Sequence, residues 1–244
     1  MQSVIAANKL VLLVAVALCC VATASAWAQD VNVSGRVVLE GAPNISPANS
    51  TVVWLAPMGT DGNTSTIVAP MHSVLQQRNK TFEPHLLVVT RGSTVDFPNR
   101  DPWFHNVFSL FNGKRFDLGL YEAGSTRAVH FDREGISYIF CNIHPEMSAV
   151  VVVLSSSYFA TPNKQGEFTI SAVPPGRYTL HVWNENALPA TLQALSRAVE
   201  VSASSHSVGT VRVPVTTAPT SHKNKYGQDY EPPSPNNPVY VQPQ

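Results

Sequence analysis

Cys141-Asn142-Ile143-His144-Pro145-Glu146-Met147 places a thiol, an imidazole and a thioether on one short loop. Two strand-like runs flank it, Ile136-Ser137-Tyr138-Ile139-Phe140 before and Ala149-Val150-Val151-Val152-Val153 after. These are soft and borderline donors, which suit a transition metal. A second imidazole stands upstream at His105, in Asp101-Pro102-Trp103-Phe104-His105-Asn106-Val107, where a loop gives way to an apolar strand.

The inferred ligand set is His105, Cys141 and His144 with Met147 as a weak axial donor. This His2Cys(Met) set is the arrangement of blue-copper electron-transfer sites. A structural zinc site would take Cys, His or carboxylate at all four positions, and a thioether adds little to that ion. Calcium and magnesium are excluded because they require oxygen ligands. The expected cofactor is therefore one type 1 copper, whose two oxidation states are both served by mixed sulfur and imidazole donors.

Residues 1–28 read as a cleavable secretory signal. Lys9 precedes the apolar run Leu10 to Val21, and Ala24-Ser25-Ala26 and Ala26-Trp27-Ala28 supply small residues for cleavage. The run is too short for a membrane span, and no later segment approaches the roughly 18 apolar residues that one needs. A periplasmic or secreted protein is expected. Of the three cysteines, Cys19 and Cys20 leave with the signal. Cys141 then has no partner for an internal disulfide, so in an oxidising compartment it is buried, paired between molecules or held by a metal. Its spacing to His144 and Met147 favours the metal. Cleavage removes one basic residue, leaving 15 Lys and Arg against 16 Asp and Glu. No basic stripe suggests nucleic acid as a partner.

The 244 residues, 44% of them hydrophobic, are enough for one large or two small cores. Thr51-Val52-Val53-Trp54-Leu55, Leu86-Leu87-Val88-Val89 and Ala128-Val129-His130-Phe131 join the two runs already quoted as short β-branched or aromatic segments bounded by turn residues. Helical periodicity is confined to weak stretches such as Pro189 to Ala198. The expectation is all-β, with sandwich architecture. The Pro-rich tail, residues 216–244, has few apolar residues and is expected to stay disordered.

The central segment resembles a plastocyanin-like cupredoxin. The likeness rests on Phe82-Glu83-Pro84, Val88-Val89-Thr90-Arg91-Gly92-Ser93-Thr94-Val95-Asp96-Phe97-Pro98-Asn99, His105-Asn106-Val107 and Tyr138-Ile139-Phe140-Cys141 through Met147, in that order. Two residues, Pro145 and Glu146, separate the second His from the Met, as in amicyanin-type loops. The chain is also similar to bacterial proteins loosely described as methylamine-utilisation or plastocyanin-like. The resemblance covers about Met71 to Ser155 and implies a Greek-key sandwich with His105, Cys141 and His144 as equatorial ligands and Met147 axial. It further implies that the Asn106 amide donates to the Cys sulfur while its side chain ties the ligand loops together. The bland alternative for Asn106 is a turn residue. Trp103, Phe104 and Pro145 suit either an apolar rim near His144 or the core.

The flanks resemble the two halves of a carboxypeptidase-regulatory-like, transthyretin-type sandwich. Val33-Ser34-Gly35-Arg36-Val37-Val38-Leu39 and Thr51 to Leu55 carry the first half, and Gly166-Glu167-Phe168-Thr169-Ile170 and Gly176-Arg177-Tyr178-Thr179-Leu180-His181-Val182-Trp183 carry the second. The expected organisation is signal 1–28, first sandwich strands 29–70, cupredoxin 71–155, remaining sandwich 156–215 and tail 216–244. The cupredoxin is either inserted into one sandwich or, with the N-terminal strands, followed by a small β domain. His72 and His85 are weak candidates for an accessory site, and His130, His181, His206 and His222 have no partner motif. No His-x-His pair suggests a multicopper enzyme. The functional expectation is a non-enzymatic carrier of single electrons to a redox partner protein, with no catalytic residues. The alternative is an envelope-associated copper-binding or adhesive module.

Overall fold

A computed structural model describes residues 29–41, 44–59, 68–110, 113–216 and 222–230. The signal-peptide reading of 1–28, and the tail expectation where it falls on 217–221 and 231–244, lie outside the described residues. The chain is all-β; among the described residues it has one short α-helix, α1 (Pro189–Leu195), in the stretch whose periodicity was weakly helical, and a single 3-10 turn at Pro47–Asn49.

In the centre of the chain are β3 (His72–Val74), β4 (Gln76–Arg78), β5 (Thr81–Glu83), β6 (Leu86–Thr90), β7 (Ser93–Pro98), β8 (His105–Ser109), β9 (Phe116–Tyr121), β10 (Thr126–Phe131), β11 (Gly135–Phe140) and β12 (Ser148–Leu154). They form the sheets β10-β7-β3 and β6-β12-β11-β8-β9, with β4 and β5 as a separate hairpin. Outside them are β1 (Val31–Glu40), β2 (Thr51–Pro57), β13 (Phe159–Ala160), β14 (Glu167–Val173), β15 (Gly176–Asn184), β16 (Arg197–Val201) and β17 (Ser207–Pro214). These make the sheets β14-β1-β17 and β13-β2-β15-β16. β1 pairs antiparallel with β14 and parallel with β17, while β2 lies between β13 and β15. The N-terminal strands therefore pair within sheets whose other strands follow the central segment.

The four larger sheets stack as four layers, and the period-2 alternation of strand side chains records it. Val53 and Leu55 of β2 join Phe168, Ile170, Tyr178 and Leu180 in the core of the outer sandwich. Ala149, Val151 and Val153 of β12 face the other way into the central core, with Phe97, Val107, Ile139, Cys141 and Met147. The intervening residues Val150, Val152 and Leu154 pack with Leu86 and Val88 against Val52 and Trp183 of the neighbouring sandwich. A strand covered on both faces has no solvated side, so Ala149 to Leu154 is apolar at every position. Val152 is fully buried between the sandwiches, a burial that contributes about 1.5–3 kcal/mol.

Candidate metal centre

The ligand loop is the connection of a β-hairpin. Phe140 of β11 is registered with Ser148 of β12, so Cys141 and Met147 stand opposite each other at its base with His144 between them. The Cys141 amide donates to the Met147 carbonyl at 3.3 Å and the Met147 amide to the His144 carbonyl at 3.1 Å, closing the loop on itself. His105 is the first residue of β8, which pairs with β11 through Phe108 and Phe140. Two adjacent strands thus bring the upstream imidazole to the loop.

Nδ1 of His105 lies 3.0 Å from Nδ1 of His144, and the Cys141 Sγ lies 4.0 Å and 3.5 Å from these two nitrogens. All three residues are buried, and their donor atoms fall within 4.8 Å of one another. Bonds of about 2.0–2.1 Å to nitrogen and 2.3 Å to sulfur at open angles require donors roughly 3–4 Å apart, so a transition metal fits this set. Met147 is fully buried in the same core cluster as Cys141.

Asp101, which sequence reasoning passed over, fixes the His105 ring. Its Oδ2 accepts from Nε2 of His105 at 2.8 Å, both groups being buried. The proton is thereby held on Nε2, leaving the Nδ1 lone pair facing Cys141 and His144; a carboxylate behind a ligating His orients it and raises its basicity. Asp101 is itself held by the tip of the β4–β5 hairpin. Asn79 and Lys80, both at φ 54, turn their amides to its two oxygens at 2.6 and 2.8 Å. Burial works to raise the Asp101 pKa, but the Lys80 amide, His105 and the Asn79 amide outweigh it, so the group stays ionised below the usual carboxylate range.

Burial lowers the His105 pKa against the opposing pull of Asp101. It also takes His144 down to about 4, with the neighbouring His105 adding to the effect. Both rings are thus neutral and able to ligate near neutral pH. Burial raises the Cys141 thiol, while backbone amides of Asn106, Ile143 and His144 donate to its sulfur and oppose that rise. These amides stabilise a thiolate once the proton is displaced.

Asn106 takes the tying position rather than that of a simple turn residue. Its Oδ1 accepts from the Asn142 amide at 3.3 Å and its Nδ2 donates to Asp117 at 2.7 Å. Phe104 and Pro145 lie at the surface, and Trp103 is half-buried beneath the Lys80 ammonium, 4.9 Å from its ring centre. His72 is exposed against Asp96, and His85 bridges the sandwiches to Glu185. His181 stacks on Trp54. None of these three joins the cluster.

The tail departs from its expected disorder at 222–230, which lies on the ligand loop. The His222 ring stacks on Phe140 with centres 4.0 Å apart, and the Tyr230 hydroxyl donates to the Cys141 carbonyl at 2.7 Å. Neither residue carried a sequence motif, and composition alone argued against order here.

Residues 147–208 match the family described as Polysaccharide lyase family 4, domain II. No curated protein sequence matches the chain. Among solved structures the chain is similar to a purple cupredoxin from Nitrosopumilus maritimus, at 23% identity and TM-score 0.31, covering 34% of this chain and 99% of that one. It is similar to a reduced amicyanin variant at 26% identity and TM-score 0.32, covering 34% and 82%. A copper-containing nitrite reductase from Thermus scotoductus SA-01 is similar at 20% identity and TM-score 0.34, covering 49% of this chain and 28% of that one.

Proposed function

We propose that the chain is an exported copper protein that carries single electrons between redox partners. The observation that carries this reading is the buried cluster of His105 Nδ1, Cys141 Sγ and His144 Nδ1 within 4.8 Å of one another. Met147 would be the axial ligand. Copper bound there supplies a one-electron couple between its two oxidation states.

What the chain contributes is rigidity. Asp101 holds one imidazole in its ligating tautomer, three backbone amides point at the sulfur, and Asn106 ties the loop of Cys141 to β8. A site fixed in this way changes little between oxidation states, and the burial of His105, Cys141 and His144 among the described residues favours a carrier over an enzyme. Export rests on the signal-like residues 1–28, and no helix among the described residues is long and apolar enough to cross a membrane.

Copper-loaded, oxidised protein tests the reading. An intense absorption band at about 600 nm, the signature of Cu(II) bonded to thiolate, together with a reversible one-electron wave is expected. Copper that binds without colour, or that cannot be cycled, would overturn it.

A further inference from the structure

We propose that residues 222–230 are a strap that completes the outer wall of the metal centre, positioning the ligand loop and restricting access to Cys141. The proposal rests on the reading above only for its purpose; the contacts exist without a metal.

The strap has a structure of its own. The Asn224 side chain accepts from the amides of Tyr226 and Gln228 at 2.9 and 3.0 Å, and its backbone amide donates to Gln228. Gly227 takes φ 78 and donates back to the Asn224 carbonyl, closing a tight turn that a side chain at that position would strain. The sequence Asn224-Lys225-Tyr226-Gly227-Gln228 is therefore a turn built into the tail.

Both limbs of this turn grip the ligand loop on either side of His144. On one side the Tyr230 hydroxyl donates to the Cys141 carbonyl, and on the other Nε2 of His222 donates to the Pro145 carbonyl at 2.8 Å. The two rings meet edge-on, with centres 5.3 Å apart. Between them the Lys225 amide donates to Asn142 Oδ1 at 3.0 Å and its ammonium reaches Asp117 at 2.8 Å. Asp117 is the carboxylate that accepts from Asn106. The strap thus joins the same network that ties β8 to the ligand loop, and closes the central sandwich over its cysteine.

The test uses metal-free protein beginning at residue 29, after the proposed signal that carries Cys19 and Cys20, so that the Cys141 thiol is the reporter. Reaction with a neutral aromatic disulfide is timed for the full mature chain, for a chain ending at Thr216, and for a full-length double variant His222→Ala, Tyr230→Phe. The shortened chain should react at least about tenfold faster, equivalent to roughly 1.4 kcal/mol of opening free energy, with the double variant between the two. Equal rates in all three would overturn the strap. Should the shortened chain lose its cooperative thermal transition, the double variant decides by the same comparison. A chain that never turns blue but shows the rate difference keeps the strap and loses the copper reading. A blue chain with equal rates does the reverse.

Discussion

Asp101 shows how one side chain sets the chemistry of another. Because its Oδ2 accepts a hydrogen bond from the Nε2–H of His105 and so keeps the proton there, the opposite nitrogen is left to ligate. At the same scale, Cys141→Ser should abolish the visible band of the copper-loaded protein while the far-ultraviolet spectrum remains that of a folded β protein, because the change is nearly isosteric in the central core. Retention of the band would show that sulfur is not the chromophore's ligand. In the proposed set Met147 would be the weakest donor, so Met147→Leu should leave copper bound and raise the reduction potential, as read by voltammetry. Loss of all copper with the fold intact would point to a different coordination scheme. The spacing Cys-x2-His-x2-Met was legible because all three candidate ligands share one hairpin loop. Asp101 was not, since its carboxylate acquires its role only from the amides of Asn79 and Lys80 in a hairpin remote in sequence.

Among the elements, the turn between β13 and β14 depends on one glycine. Gly166 has φ 82, and a Cβ there would stand 2.1 Å from the Val37 carbonyl oxygen, a backbone atom of β1 that cannot swing aside. Gly166→Ala should therefore cost on the order of 2 kcal/mol or more in denaturant unfolding. The candidate metal site lies in the other sandwich, so the spectrum of the copper-loaded protein should be unchanged where the variant folds. β12 marks both the reach and the limit of pattern reading. Its valine run signalled a strand, but alternation could not say which residues faced the metal core and which the neighbouring sandwich, because both faces are dry.

At the scale of the whole molecule, the sandwiches are joined by the apolar layer around Val52, Val152 and Trp183 and by the His85–Glu185 pair. The hydrogen bond from His85 to Glu185 raises the His85 pKa, with burial opposing and the Glu185 charge and Ser148 carbonyl assisting. A raised pKa means that this contribution is complete below the unfolded value of 6.5 and is lost as pH climbs through the folded one. The melting temperature of the native chain should thus fall more between pH 6.5 and 8 than that of His85→Gln. The difference should correspond to no more than about 1 kcal/mol, since the pair is partly exposed. Parallel pH profiles would remove the pair from the stability account. Residues 29–70 joined to 156–215 by a short Gly/Ser linker should fold as a β domain, because β1 and β2 each lie between C-terminal strands. Deleting 29–70 instead should leave β14 and β17 without the strand between them and expose Phe168, Ile170, Tyr178 and Leu180, giving aggregation beside an intact copper site. Cooperative unfolding with slow amide exchange across 166–213 in that truncated chain would show the C-terminal strands to be self-sufficient.

The sequence by itself determined the all-β character and which donor types the candidate site offers, since strand alternation, turn residues and donor softness are local properties. His105 was also within its reach, because a single imidazole at a strand start had an evident partner loop. Tertiary structure alone decided which ring nitrogen faces the cysteine, how the sandwiches share a dry layer and where residues 222–230 lie. Each of these depends on groups far apart in sequence meeting in space. His222 and Tyr230 show this most plainly: a polar tail too poor in apolar residues to form a core is ordered by hydrogen bonds to carbonyls that only the folded ligand loop presents.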